Sequence, residues 1–252
     1  VVLGRPPIVH AGIIATFEPS KSVRLSSLKE FTDALKKSLP IEGHVASQRL
    51  EIGVDGDANP VQKFESQLLG YSVSNAANTR LVTAELGKFT VAFAKGSYPP
   101  WPALQEYFLK FLPQYVRAAS QDSFTSVSMR TVSELLLPIS DGEDLNTYIN
   151  TAIGIPSSPE IPDALMGFMT DVLIPVGENL TARVIQKTGD RVAVDGLKNP
   201  ALQFSLDTTI TSSSSHSAAD EAYIKGKLEL LHGKRNAIFF STFTDKALEF
   251  YV

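Results

Sequence analysis

The sequence predicts an α+β fold built from two similar halves, residues 1–120 and 121–252. Each half is expected to run strand, helix, four strands, helix, with antiparallel sheets and helices packed on one face. Three observations predict this. Residues 201–210 alternate, with Leu202, Phe204, Leu206, Thr208 and Ile210 on one side and Gln203, Ser205, Asp207 and Thr209 on the other, the pattern of a half-buried strand. A helix follows, in which Ile224, Leu228, Leu231 and Arg235 recur at helical spacing and can cover that strand. The order of strand-like and helix-like segments then reads alike before and after about residue 120, as an order of elements and not as a residue repeat.

Taken in order, residues 8–17 follow Pro6-Pro7 and are rich in branched side chains, as a strand requires. Ser27-Leu28-Lys29-Glu30 has the form of a capping box, in which hydroxyl and carboxylate each satisfy the other's free backbone amide. A helix is therefore expected from Ser27, with Leu28, Phe31, Leu35 and Leu39 on its covered side and Pro40 as its stop. A short strand at 44–54 and a loop at 55–60 come next. Strands at 67–74, 80–86 and 88–94 follow, separated by Asn75-Ala76-Ala77-Asn78 and Gly87-Lys88, with Phe89, Val91 and Phe93 facing one way. Pro99-Pro100-Trp101-Pro102 opens a helix carrying Leu104, Phe108, Phe111, Leu112 and Tyr115, and Pro113 inside it predicts a kink or a break.

In the second half the expected elements are a strand at 123–137, a short helix at 144–150 and a connector at 155–162. Strands at 167–176, 180–188, 191–195 and 200–211 follow, then a long helix from about Ala218. Gly189-Asp190 reads as a tight hairpin turn, and Ser217 or a neighbour as the cap of the last helix.

Composition narrows the function classes. With 252 residues, 43% of them hydrophobic, the chain can bury a large core. Its formal charge is −4 and its Lys and Arg residues are scattered singly, so it lacks the basic stripe that neutralises a row of phosphates, and nucleic acid is disfavoured as a partner. The absence of cysteine excludes disulfides, thiolate nucleophiles and Cys-ligated zinc. No apolar run approaches the roughly 18–20 residues of a membrane-crossing helix. Residues 1–7 lack the charged-then-apolar pattern of a secretory signal, so the default expectation is a cytoplasmic protein with no membrane partner.

Motifs that carry chemistry are few. The four histidines, His10, His44, His216 and His232, include no pair at i, i+2 or i, i+4, so no local metal site is expected. His232 reads as a helix-end residue facing a carbonyl or the sheet. The run Ser212 to Ser215 has no Gly-x-Ser-x-Gly frame, and phosphate-cradling glycine loops are missing; no cofactor and no catalytic residue follow from the sequence. Tyr98, Trp101, Tyr107, Phe108 and Phe111 read as a helix stripe packed on a sheet. Phe239, Phe240, Phe243, Phe250 and Tyr251 also admit a patch for a partner.

Two polar residues stand out on well-patterned strands. Arg130 shares a side with Ser128, Val132 and Glu134, opposite Val127, Met129, Leu135 and Leu137. Asp207 shares a side with Gln203, Ser205 and Thr209. Both fall on the face away from the helices. One reading is a cross-strand ion pair that fixes register; the other is a binding site made of Arg130, Glu134 and Asp207.

A set of short motifs also occurs in a characteristic order: Pro6-Pro7-Ile8-Val9-His10-Ala11, Asp144-Leu145-Asn146-Thr147-Tyr148, Phe204-Ser205-Leu206-Asp207-Thr208, Leu230-Leu231-His232, and Ile238-Phe239-Phe240-Ser241-Thr242-Phe243-Thr244-Asp245. With them the chain resembles a sporadically distributed prokaryotic family of about this length, which opens with Pro-Pro-Ile-x-Glu-Ala and closes with Ile-Phe-x-x-x-Thr-Asp. This chain departs from the family in having His10 at the acidic position, and Arg130-Thr131-Val132-Ser133 where the family has Arg-Tyr-Ile/Val-Asn. No activity is firmly assigned to that family, so the resemblance implies extent and organisation only.

The leading expectation is a non-enzymatic binding protein that presents a sheet face to a protein or small ligand, with self-association left open. The alternative is an enzyme whose acid-base groups, Arg130, Glu134 and Asp207 first among them, converge from separate strands. A saddle-shaped sheet for nucleic acid is a third reading, which the acidic balance opposes.

Overall fold

A computed structural model describes residues 3, 6–18, 23–54, 60–94, 97–140, 143–151, 167–197 and 199–251. The element order is β1 (Ile8–Phe17), α1 (Leu25–Leu35), β2 (Ile41–Val54), β3 (Pro60–Ser74), β4 (Arg80–Glu85), β5 (Lys88–Ala94), α2 (Trp101–Ala118) and β6 (Ser123–Leu137). It continues with β7 (Met169–Gly177), β8 (Leu180–Val192), β9 (Ala201–Ser212), β10 (His216–Ser217), α3 (Glu221–Thr242) and α4 (Asp245–Leu248). The strands form one antiparallel sheet in the order β2-β3-β4-β5-β1-β6-β9-β8-β7, and the short β10 pairs with β6. The molecule is therefore α+β, with β1 and β6 side by side at the centre. No helix among the described residues is long and apolar enough to cross a membrane.

Alternation sorts the two faces. Ala11, Ile13, Ala15 and Phe17 of β1, Val127, Met129 and Leu135 of β6, and Phe204, Leu206 and Ile210 of β9 point to the helices and are buried. The helices cover that face with their own apolar stripes. The Phe89 ring meets Phe31 of α1 and Phe108 and Tyr115 of α2, with ring centres 6.2, 5.5 and 5.1 Å away. Tyr115 also donates from its hydroxyl to the Glu85 carbonyl at 2.8 Å, and its burial pushes the phenol well above its ordinary range. In the other half Phe204 packs edge-on against Phe243, and Ile224, Leu228, Leu231 and Arg235 of α3 are all buried against the sheet as their spacing predicts.

Several local expectations are corrected. Helix α1 starts at Leu25, not Ser27; Arg24 is its N-cap and makes no side-chain bond to it. The earlier start lets Leu25 join Leu28, Phe31 and Leu35 against the core, so packing overrides the capping-box pattern. Pro113 neither breaks nor ends α2, because it lies on the exposed side, where solvent can meet a carbonyl that has lost its donor. Gly189-Asp190 is not a hairpin turn: β8 runs through it, and the β8/β9 register shifts between Thr188 and Arg191. A side chain at Gly189 would meet Gln203 Oε1 at 2.9 Å, which is a packing reason for glycine there. The separate strand expected at 191–195 is thus the end of β8. The β7–β8 turn uses Asn179 in the left-handed region instead, at φ 56°.

The cap of α3 is Asp220, which accepts from Tyr223 N at 2.9 Å, and not Ser217. The short helix expected at 144–150 is a single 3-10 turn, Leu145–Thr147, capped by Asp144. The loop at 55–59 and the connector at 155–162 lie outside the described residues.

Candidate functional site

On the face away from the helices, the strand registers bring charged side chains from four strands into two neighbouring rows. One row runs Gly12, Arg130, Thr209, Arg183, Leu173 across β1, β6, β9, β8 and β7. The next runs His10, Val132, Asp207, Ile185, Asp171. Each arginine reaches diagonally to an aspartate of the adjacent row. Arg130 donates from Nε to Asp207 Oδ1 at 3.1 Å and from Nη2 to Oδ2 at 2.7 Å. Arg183 repeats the geometry with Asp171, at 2.9 and 2.6 Å. Both pairs are bidentate, the arrangement that best matches a planar guanidinium to a carboxylate.

The pairs differ in exposure. Arg130 and Asp207 side chains are 48% and 18% exposed, against 58% and 39% for Arg183 and Asp171. Hydrogen bonding to Arg183 lowers the Asp171 carboxyl below its ordinary range, and Asp207 and Asp171 raise the guanidinium groups they hold. Asp207 also lies close enough to Arg183 to act on it through space, so the four groups form one alternating chain of charge. Glu134 sits one row further on and accepts from Gln203 Nε2 at a long 3.5 Å. The structure thus brings Arg130 and Asp207 together and leaves Glu134 beside them, outside the pair.

His10 closes the row on β1. Its ring is half-buried, and Nδ1 is buried with no hydrogen-bond partner among the described residues. Burial, followed by the nearby positive charge of Arg130, pushes the imidazole below its ordinary 6.5, with Asp207 opposing. Sequence reasoning missed Arg183, Asp171 and the place of His10 in this set. The outward alternation of Arg183, Ile185 and Lys187 against Ala182 and Val184 was visible, but which β7 residue Arg183 meets depends on the register of the β7–β8 hairpin.

On the helix side, α2 and α3 leave a groove of about 490 Å³, lined by Leu109, Leu112, Val116, Arg117, Ala218 and Ile224. Of the expected aromatic stripe, Trp101, Phe108 and Phe111 are buried in the core, and Tyr98 and Tyr107 are half-buried against it. His232 lies in the middle of α3, not at a helix end, and stacks on Trp101 with ring centres 4.4 Å apart and planes 4° from parallel. Glu229 accepts from Trp101 Nε1 at 3.0 Å and from Gln105 Nε2 at 2.9 Å. Among the described residues no cluster of three or more His, Asp or Glu side chains could hold a metal ion.

No protein-family model matches this chain, and no curated protein matches it.

Proposed function

We propose that this chain is a non-enzymatic recognition protein whose uncovered sheet face docks a protein partner. The observation that carries the reading is the pair of bidentate Arg–Asp contacts set side by side on an open surface. A guanidinium already oriented by one carboxylate has little conformational entropy left to lose on binding, and arginine is over-represented among residues that dominate interfaces. Small ligands favour concave apolar sites, whereas this face sets exposed charged side chains such as Arg130, Arg183 and Asp171 among half-buried ones. The strand order outward from β1 (β5, β4, β3, β2) and from β6 (β9, β8, β7) supports two similar halves, which would set this charged half-face off from its counterpart.

An enzymatic alternative has one favourable feature, the neutral ring of His10, which is the form a general base needs. Against it, Arg130 occupies both oxygens of Asp207. The balanced rows, two arginines against two aspartates, give nucleic-acid binding no support.

The test is affinity capture from the native source with three baits: the unmodified chain, an Arg130→Glu/Arg183→Glu variant, and a Lys110→Glu variant of the helix side. A partner held by the first and third and lost by the second is expected. A partner held equally by all three would remove the sheet face from consideration.

A further inference from the structure

On the helix side of the sheet, α3 buries a charge that the fold does not neutralise. Arg235 is 7% exposed and lies over the central strand β6, where its Nε donates to Thr131 Oγ1 at 3.1 Å. Nη1 donates to Asn236 Oδ1 at 2.7 Å, and the guanidinium carbon sits 5.5 Å from the centre of the Phe239 ring. Nη2 makes no hydrogen bond among the described residues, and no carboxylate there pairs with the group. Glu229, on the same helix, is held by Trp101 Nε1 and Gln105 Nε2 and forms no ion pair with Arg235.

The groups around that nitrogen are short of negative charge and hold unused donors. The Tyr98 phenol lies close enough to Arg235 to feel its charge, and its hydroxyl makes no hydrogen bond among the described residues. Burial holds that phenol above its ordinary range, so it stays a neutral O–H donor. Thr208 lies opposite Thr131 in the β6/β9 register, is 2% exposed, and also makes no side-chain hydrogen bond among the described residues. Asn236 contacts His232 Nε2 at 3.4 Å, and His232 stacks on Trp101, the first residue of α2. That helix has no acidic residue in its first turn and no side-chain cap, so its own residues leave the positive end of its dipole unneutralised. Nη2 and the Tyr98 hydroxyl keep access from outside, since the one fully enclosed, unbonded side-chain atom among the described residues is His10 Nδ1.

We infer that Arg235 and Tyr98 form a binding site for a small carboxylate, which accepts from Arg235 Nη2 and from the Tyr98 hydroxyl. A guanidinium taken out of water without a counter-charge costs the fold stability, and an apolar side chain of similar volume would fill the place without that cost. An anion entering from solvent supplies the missing charge where water competes least for it. One guanidinium matches the single charge of a carboxylate, and the planar group suits its fork of donors. The Phe239 ring and the stacked His232–Trp101 pair favour an apolar or aromatic body behind the carboxylate. The site lies on the opposite side of the sheet from the Arg130–Asp207 pair and is independent of it.

Isothermal titration calorimetry of the full chain with sodium benzoate and with sodium acetate, at constant ionic strength, tests this. Saturable binding of one carboxylate per chain is expected from at least one of the two. It should be lost in Arg235→Met, weakened about tenfold in Tyr98→Phe, and unchanged in Arg117→Met, which removes an exposed arginine beside the α2–α3 groove. In thermal melts the bound carboxylate should raise the midpoint of the wild type and not that of Arg235→Met. The inference is overturned by a wild type that takes up neither carboxylate saturably, or by full affinity in Arg235→Met or Tyr98→Phe. Loss of binding in Arg117→Met would overturn it by moving the site to the groove, and binding of inorganic phosphate where neither carboxylate binds would overturn the choice of anion. If Arg235→Met loses the wild-type circular dichroism spectrum, the comparison of Tyr98→Phe with Arg117→Met decides.

Discussion

Arg130 gives Nε and Nη2 to Asp207 and leaves its remaining nitrogen outside the pair, on a side chain half open to solvent. An ion pair this exposed contributes little to folding, so Asp207→Ala is expected to lower stability by no more than about 1 kcal/mol in urea melts. Asp171→Ala, whose pair is more open, should leave the midpoint unchanged. A larger loss at Asp207 would make the pair a structural lock and weaken the recognition reading. The histidines define a separate pH window. Burial holds His10 and His232 below their ordinary 6.5, so both favour the folded state above that value and oppose it as pH falls. Thermal stability should therefore drop as pH falls below the ordinary imidazole range, and His10→Gln/His232→Gln should flatten the profile there. The carboxylates of Asp33, Glu42 and Glu143, lowered by their lysine partners, lose their contribution only at more acidic pH. At this scale the sequence was a fair guide to Arg130 and Asp207, since strand alternation alone places them on one face. It was silent on Arg183 and Asp171: strands at 167–176 and 180–188 were expected, but not which of their residues oppose each other across the turn at Asn179.

Among the elements, α3 and the β2–β3 hairpin make the sharpest demands on sequence. Arg235 of α3 is 7% exposed, donates from Nε to Thr131 Oγ1 at 3.1 Å, and lies over the Phe239 ring, yet faces no carboxylate among the described residues. Its burial lowers the guanidinium from its ordinary value, as expected for a charge taken out of water without a counter-charge. Arg235→Met is therefore expected to leave stability unchanged or raise it by up to about 2 kcal/mol, judged by denaturant melts. A loss above about 1 kcal/mol would mean that the Thr131 and Phe239 contacts outweigh the burial penalty. Gly70 carries the opposite expectation. Alanine there would strike the β4 backbone, so Gly70→Ala should destabilise by at least about 2 kcal/mol, whereas Gly226→Ala, with open space around it, should not. Helix stripes were legible because Ile224, Leu228 and Leu231 repeat at one period within a single element. Helix starts were not: local capping patterns at Ser27 and Ser217 lost to packing at Leu25 and to the stronger cap at Asp220.

For the whole molecule, the antiparallel sheet with helices on one face was legible from alternation and element order. Long-range pairing was not, because a strand's own residues do not name its neighbour; β1 meeting β6 at the centre is a fact of the assembled sheet. That meeting places His10 next to the Arg130–Asp207 pair and leaves the charged face open while the helices shield the other. The most direct measurement of whether that face is used is photo-crosslinking in cells from a benzophenone amino acid at position 209, between Arg130 and Arg183 in register, compared with one at position 225 on α3. A discrete adduct formed from position 209 and not from 225 is the predicted result. Adducts from 225 alone, or none from 209, would contradict it.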